Sequence, residues 1–278
     1  MGNTHLVEVT SQPREDQPEL LVDVWTSLGQ TGQLRGSGPV VVYVGLWLGA
    51  RAVSGARVTC LVEGRDPMGL PLTPHTLELR DGGAGDPDIT EGDGVYSKYF
   101  TQLQSAGRYS LQVTVTSTAD RTAYTLGSIA ANGTRRHREL GPFTRLVQGT
   151  SFSVTQFPTN WSSSHLPPSR ILDLSVSVLT SSQKLEFRWS APGADYDEGR
   201  PTSYQLYISR HADQFRAGLP APASKLLVES FSGVRAAGGS EAHRVTVGQE
   251  QVGILSFFSF FLHLLHLVFF CAYVFIFL

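Results

Sequence analysis

The chain has 278 residues, 41% of them hydrophobic and 17% charged, with a formal net charge of −2. This length holds about two domains of roughly 100–150 residues, and the composition is typical of a folded protein. The 22 Lys and Arg residues are scattered along the chain, so no nucleic-acid partner is predicted, because such a partner needs a concentrated basic surface. The dense basic run at 135–138 is interpreted as a solvated loop.

The N-terminal segment, residues 1–37, is polar and weakly patterned, with one short strand predicted at Glu19–Val24. Its first residues contain no apolar run of the kind that a signal peptide needs. Two N-x-[ST] sequons, at Asn132 and Asn160, become glycosylation sites only if the chain enters the secretory pathway. These two observations indicate opposite compartments, and the sequence does not choose between them.

A first β domain is predicted at residues 38–157. The string PVVVYVGLWL near its start is rich in β-branched and aromatic residues, which favour strands. In VTCLV and in GRYSLQVTVTS, residues that suit a core alternate with residues that suit the other face. Short strands separated by Gly-rich turns, with little helical periodicity, predict an antiparallel β-sandwich.

The segment RDGGAGDPDITEGDGVYSKYF, residues 80–100, combines five acidic residues with five glycines. It lacks the Gly-Lys-Ser/Thr of a phosphate loop. Asp86, Asp88 and Asp93 offer the hard oxygen atoms that Ca²⁺ prefers, although their spacing is not that of an EF-hand. Alternatively, Asp and Gly only build turns, with Asp side chains accepting hydrogen bonds from backbone N–H groups. Apart from this candidate Ca²⁺, no cofactor is predicted.

A linker rich in Ser and Pro, at 158–168, leads to a second β unit at 169–250. Large apolar residues alternate in KLEFRWS and in SYQLYIS, and Trp189 is interpreted as a core residue rather than a ligand platform. W-S-A-P around Trp189 and S-Y-Q-L-Y around Tyr204 resemble a fibronectin type III domain. About five strands can be counted where such a sandwich has about seven, so this domain is predicted to be incomplete at its C-terminal end.

The C-terminal segment, ILSFFSFFLHLLHLVFFCAYVFIFL at 254–278, contains no Asp, Glu, Lys or Arg. It exceeds the roughly 20 apolar residues that span a bilayer, so it predicts a hydrophobic transmembrane helix. The small residues Gly238, Gly239 and Ser240 followed by this stretch are also compatible with a GPI signal. Arg244 is the nearest upstream basic residue, so the membrane orientation is not determined.

The sequence contains none of the common catalytic motifs. H-E-x-x-H, G-x-S-x-G, the phosphate loop and the dinucleotide fingerprint do not occur in these 278 residues. The chain is therefore predicted not to be an enzyme.

Four strings occur in an informative order: LELRDGGAGDPDITEGDGVYSKYF, GRYSLQV, LPPSRILDL and FRWSAPGADYDEGRPTSYQLYIS. Together they resemble the C-terminal half of the calcium-activated chloride channel regulator (CLCA) family, from about Val40 to about Val247. The resemblance implies a secretory-pathway protein that modulates a chloride conductance. The family's protease motif H-E-x-x-H does not occur in these 278 residues. The von Willebrand A domain, which carries the family's D-x-S-x-S metal site, is not recognised here either, so neither activity is carried over. The chain is interpreted as a truncated or alternatively spliced family product.

The expected function is that of a non-enzymatic, membrane-associated modulator of calcium-activated chloride conductance, acting through protein contacts of its β domains. The expected partner is a chloride channel or another membrane or extracellular protein, with the β domains extracellular or luminal. A second interpretation is an extracellular adhesion or matrix-binding module, because sandwiches of this type are common binding scaffolds. A third is a non-functional product, since a domain lacking strands exposes a sheet edge. A secreted chain, or one retained in the endoplasmic reticulum, is the alternative location.

Overall fold

The computed structural model describes residues 18–119, 121–129, 135–158, 166–179, 184–209, 226–231, 234–246 and 271–277. This part of the chain is built from β-strands, with one short 3₁₀ turn at Gly29–Thr31 and no α-helix among the described residues. The all-β prediction is confirmed. The strands are β1 Leu20–Thr26, β2 Gln33–Arg35, β3 Val40–Leu48, β4 Arg51–Ser54, β5 Arg57–Arg65, β6 His75–Leu79, β7 Val95–Phe100, β8 Gly107–Thr116, β9 Ala123–Ile129, β10 Arg135–Glu139, β11 Thr144–Thr155, β12 Ser175–Leu179, β13 Lys184–Ser190, β14 Ser203–Ser209, β15 Leu226–Phe231, β16 Ser240–Thr246 and β17 Cys271–Phe277.

Strands β1 to β11 form the two sheets of the first sandwich. One sheet has the order β1-β3-β4-β9-β10, with β7 also paired to β3, and the other has the order β2-β11-β8-β5-β6. The β2–β11 pair is parallel, and the other described pairs in these sheets are antiparallel. The sandwich therefore takes in two strands, β1 and β2, from the segment 1–37.

Alternation along the strands builds the core of the first sandwich. In β3 every second residue from Val40 to Leu46 is fully buried, and in β8 the same holds from Tyr109 to Val115. These two rows belong to opposite sheets and to one hydrophobic cluster. Burying each such side chain contributes about 1.5–3 kcal/mol, so this cluster fixes which faces of the two sheets meet.

Strands β12 to β17 form the second unit, with the sheet orders β12-β13-β16 and β15-β14-β17. The row Leu185, Phe187 and Trp189 of β13 is buried against Tyr204 and Leu206 of β14. The Trp189 ring meets the Tyr204 ring edge-on, with 5.1 Å between centroids. The core role predicted for Trp189 is confirmed.

The predicted C-terminal helix at 254–278 is not supported: Cys271–Phe277 form β17, antiparallel to β14. The remaining residues, 254–270 and 278, lie outside the described part. Apolarity alone does not separate a helix from a buried strand; the run CAYVFIF is rich in β-branched and aromatic residues, and β14 offers it an edge of unpaired backbone groups. Among the described residues, no helix is long and apolar enough to cross a membrane.

The basic run also differs from its interpretation. Residues 135–138 were expected to be a solvated loop, but they belong to β10, which pairs with β9. The strand conformation of this segment comes from its backbone hydrogen bonds with β9. The loop prediction was based on the charge of its side chains alone.

Candidate functional site at the junction of the two sandwiches

The acidic loop between β6 and β7, residues 80–94, is shaped by close backbone approaches. Gly83 and Gly94 have φ of 59° and 82°, a region that favours glycine. A Cβ on Gly83 would lie 2.6 Å from the Glu91 nitrogen, and one on Gly94 would lie 2.8 Å from the Leu46 oxygen. The loop can therefore fold back on itself and on β3 only with glycine at these positions.

Three carboxylates of the loop accept hydrogen bonds from its own backbone. Asp88 Oδ2 accepts from the Gly82 and Gly83 nitrogens at 2.6 and 3.0 Å. Asp81 accepts from the nitrogens of Asp93 and Gly94 at 3.2 and 3.1 Å. Asp93 Oδ1 accepts from the nitrogen two residues further on at 2.8 Å. These bonds have the form that the turn interpretation of the loop predicts.

These carboxylates are close enough to affect one another's charge. Burial raises the pKa of Asp81 to about 7, the Gly94 N–H opposes this shift, and the charges of Asp93 and Asp88 add to it. Burial also raises the pKa of Asp88, against the hydrogen bonds from Gly83 and Gly82. The centre of the loop therefore disfavours negative charge.

Asp86 serves a different place from Asp88 and Asp93. Its Oδ2 accepts a hydrogen bond of 2.9 Å from the Tyr99 hydroxyl and lies 3.8 Å from Arg170 Nε. Within the described residues, no group of three or more His, Cys, Asp or Glu side chains is placed to hold a metal ion. The calcium hypothesis for Asp86, Asp88 and Asp93 stays a prediction. The sequons at Asn132 and Asn160 lie outside the described residues.

A polar clasp joins the first sandwich to the second. Lys98 Nζ lies 3.3 Å from Asp197 Oδ1, 3.5 Å from Glu198 Oε1 and 3.4 Å from the Asp197 carbonyl oxygen. Asp197 Oδ1 has no aligned hydrogen bond, so its contact with Lys98 is an ion pair by distance only. Asp197 Oδ2 accepts a hydrogen bond of 3.3 Å from the Tyr99 nitrogen. A single carboxylate of the second sandwich thus binds a cation and a backbone N–H of β7.

The clasp is partly shielded from solvent. The side chains of Lys98 and Asp197 are 19% and 16% exposed. Burial raises the pKa of Asp197, and the positive charge of Lys98 opposes that shift. Beside the ion pair, the rings of Tyr99 and Tyr196 lie 4.7 Å apart; such a pair contributes about 0.5–1.5 kcal/mol beyond its buried area.

The turn that presents Asp197 is held by its own backbone. Tyr196 has φ of 54°, a conformation that costs a non-glycine residue about 1–2 kcal/mol. The cost is offset locally, because the Tyr196 nitrogen donates to the Pro167 oxygen at 2.9 Å and the Ser169 nitrogen donates to the Tyr196 oxygen at 3.0 Å. Asp195 and Glu198 also exchange two backbone hydrogen bonds. The linker end and the turn therefore form one unit that faces β7.

An open cleft of about 750 Å³ runs beside the clasp. It is lined by the acidic loop and Lys98 on one side, and by 169–170, 190–192, 197–200 and 236–238 on the other. Its charged residues are of both signs: Glu78, Arg80, Asp86, Asp88, Lys98, Arg170, Asp197, Glu198 and Arg200. A wide cleft of this kind suits contact with a polar protein surface more than burial of a small apolar ligand.

Of the three predicted ligands, Asp86 contacts Arg170 across the junction and Asp88 also lines the cleft. Sequence reasoning missed the members of the clasp. One signal was available: the clasp residues belong to the strings D-G-V-Y-S-K-Y-F and A-D-Y-D-E-G, which carry the family resemblance. The structure brings these strings together through Lys98, Tyr99 and Asp197. The pairing itself is not visible in the sequence, because the partners are 98 and 99 residues apart.

Comparison with known proteins gives the same family as the sequence strings. Calcium-activated chloride channel regulator 2 from Homo sapiens is 34% identical over 197 residues, covering 62% of this chain and 20% of the relative. Calcium-activated chloride channel regulator 4 from Homo sapiens is 35% identical over 195 residues, with the same two coverages. Calcium-activated chloride channel regulator 1 from Mus musculus is 34% identical over 221 residues, covering 70% of this chain and 23% of the relative.

The predicted resemblance is confirmed: the chain has CLCA homologues, and they are consistent with a C-terminal CLCA-like portion. The chain spans about a fifth of the length of the curated relatives that it matches. No family model matches the chain. A solved structure of chicken CNTN1 FN1–FN3 domains covers 77% of the chain at 12% identity with a TM-score of 0.20, a likeness too low to carry an argument.

Proposed function

We propose, from the homology to calcium-activated chloride channel regulators, that this chain is a non-enzymatic, membrane-associated modulator of calcium-activated chloride conductance. It acts through protein contacts of its β domains, and its partner is a chloride channel or another membrane or extracellular protein. The observation that carries the proposal is the 31–35% identity to proteins named as such regulators. The match covers only about a fifth of those relatives, so the regulatory activity in their names is proposed for this chain.

The junction supports a contact role for the chain. Ion pairs and a hydrogen bond join charged residues of the two sandwiches there, an arrangement that holds domains in place. Contacts to Asp197 from both a side chain and a backbone N–H limit rotation of one sandwich against the other. We propose that the partner recognises the combined surface, including the cleft beside the clasp.

The test is a whole-cell recording of calcium-activated chloride current with and without the expressed chain. We expect the chain to change the current, and Lys98→Met to reduce that change because it removes the cation from the clasp. Lys184→Met is the matched control, since Lys184 is a partly exposed lysine on β13. An unchanged current at verified expression would contradict the modulator proposal. An equal effect of both substitutions would contradict the role of the junction.

The proposed location places the β domains outside the cell or in the lumen of the secretory pathway, with the chain at the membrane. The sequons at Asn132 and Asn160 provide the assay. We expect a glycosidase to increase the gel mobility of the expressed chain, and Asn132→Gln with Asn160→Gln to abolish that shift. Absence of any shift in the unaltered chain would remove the support for a luminal location.

A further inference from the structure

The edge strand β10 concentrates positive charge on the first sandwich. It lies at the end of the sheet order β1-β3-β4-β9-β10, and its described pairing is with β9 alone. Its sequence is RRHRE, and residues 136–139 are all exposed. Four consecutive positions that carry Arg or His thus lie along a free edge of the sheet.

Three basic residues of β10 lie outside the ion pairs that the structure describes. Among the ion pairs formed by the described residues, none involves Arg136, His137 or Arg138. A strand advances about 3.3 Å per residue and alternates its faces. Arg136 and Arg138 therefore lie on one face about 7 Å apart, with His137 on the other.

Two further arginines extend this surface. Arg121 is exposed in the turn that ends at Thr122. This turn lies beside the end of β10, because the nitrogen of Leu140, the residue after β10, donates a hydrogen bond of 2.9 Å to the Thr122 oxygen. Arg51 of β4 lies over the Tyr124 ring, with 5.6 Å from its guanidinium carbon to the ring centroid. Tyr124 is the register partner of Arg138. We call the surface formed by these residues the basic edge: Arg51, Arg121, Arg136, His137 and Arg138.

We propose that the basic edge binds a linear sulfated polysaccharide. Two arginines about 7 Å apart on one face of an extended strand suit a linear chain that carries anionic groups in series. Arginine binds such oxyanions through two parallel N–H donors. Stretches of about five to eight residues rich in Lys and Arg form nucleic-acid or heparin patches, and the five residues of β10 contain three arginines. The chain as a whole has a net charge of −2, so the attraction is local to this edge. The polysaccharide can be a physiological ligand only where the β domains are extracellular, so this inference rests on the location given under the proposed function.

A processing protease is the competing use of an Arg-rich run. Proteases bind their substrates as unpaired extended segments, whereas β10 is hydrogen-bonded to β9 from Arg135 to Glu139. The pairing favours a role as a surface over a role as a cleavage site. Cleavage after Arg138 is therefore an outcome that the test must distinguish.

The test is chromatography of the full chain on immobilised heparin with a salt gradient. We expect retention at about 0.15 M salt, the ionic strength at which exposed charges are already screened within about 8 Å. We expect Arg136→Ser with Arg138→Ser to lower the affinity at least about tenfold and to weaken its salt dependence, because fewer counterions are released. The charge-preserving pair Arg136→Lys with Arg138→Lys should keep most of the retention.

The matched control is Arg35→Ser with Arg57→Ser, which removes two exposed arginines from β2 and β5 and changes the net charge equally. Failure of the unaltered chain to bind, or an equal loss in this control, would overturn the proposal. Equal affinity for duplex DNA would overturn its preference for sulfated polysaccharide. Selective cleavage after Arg138 by a trypsin-like processing protease, seen as two fragments by mass spectrometry, together with no heparin retention, would assign the run to processing.

Discussion

Removing the cation of the clasp, by Lys98→Met, tests the account of the junction directly. At an effective dielectric constant of about 20, a charge pair 3.3 Å apart as in Lys98–Asp197 interacts by about 5 kcal/mol before desolvation and screening are subtracted. Because both side chains are partly exposed, we expect a net loss of about 1–3 kcal/mol in the free energy of unfolding. The methionine keeps the aliphatic stem, so the loss reports charge and hydrogen bonding.

The pH dependence of this loss follows from Asp197. Burial raises the pKa of its carboxyl above the unfolded value, so the folded state holds the proton over the pH range between those two values. The contribution of this group to stability therefore falls as pH rises through that range. Without Lys98 the folded pKa rises further, since the opposing charge is gone. The cost of Lys98→Met should thus shrink as the pH falls towards the unfolded pKa of Asp197 and be larger at neutral pH.

The assay is urea unfolding of the full chain and of both lysine variants at about pH 4 and about pH 7. Lys184→Met should cost little at either pH, because Lys184 has no ion pair among the described residues. A cost of Lys98→Met below about 0.5 kcal/mol at pH 7, or one that does not change with pH, would refute the reasoning.

Four shorter predictions concern the loop and the tail. Deleting 254–278 should speed hydrogen exchange of β14 amides, because β17 covers one edge of that strand; unchanged exchange would contradict the pairing. Asp81→Asn should flatten the fall in stability between about pH 4 and 7 that its raised pKa of about 7 produces in urea unfolding. Gly94→Ala should destabilise the chain more than Gly29→Ala in thermal unfolding, since both have positive φ but only Gly94 meets a backbone oxygen. If the acidic loop binds calcium, about 1 mM Ca²⁺, a level that extracellular sites bind, should raise the thermal midpoint and Asp88→Asn should abolish the rise; an unchanged midpoint would contradict the calcium hypothesis.

Much of the strand pattern could be predicted from the sequence. In β8 and β13 the apolar residues alternate, and the same residues are buried in the structure. Alternation predicts such strands because one face of a sheet meets the core and the other does not. The tail and β10 lack this pattern: β17 is apolar throughout, and β10 is basic over its first four residues. For both elements, backbone pairing with a neighbouring strand decides the conformation, and one sequence window does not contain the neighbour.

The candidate site shows a similar division between local and long-range information. The turns of the acidic loop follow from residues close in sequence, such as Asp88 accepting from Gly82 and Gly83. The clasp depends on how two sandwiches pack, so the contacts of Lys98 and the Tyr99 nitrogen with Asp197 could not be predicted from neighbouring residues in the sequence. In the structure Asp86 contacts Tyr99 and Arg170, whereas Asp88 and Asp93 accept hydrogen bonds from backbone N–H groups. The calcium hypothesis for these three residues stays a prediction.

The position of the two family strings gives a physical reason for their specificity. Each string alone is a Gly- and Asp-rich turn of a kind that many β-sandwiches contain. Placed against each other, they form an ion pair, a hydrogen bond to a carboxylate and a pair of aromatic rings across the junction. Substituting one side leaves a partly buried charge on the other, and truncating one partner of such a pair costs more than the pair itself contributes. The junction therefore constrains both strings together, so their joint occurrence identifies this two-sandwich arrangement better than either turn does.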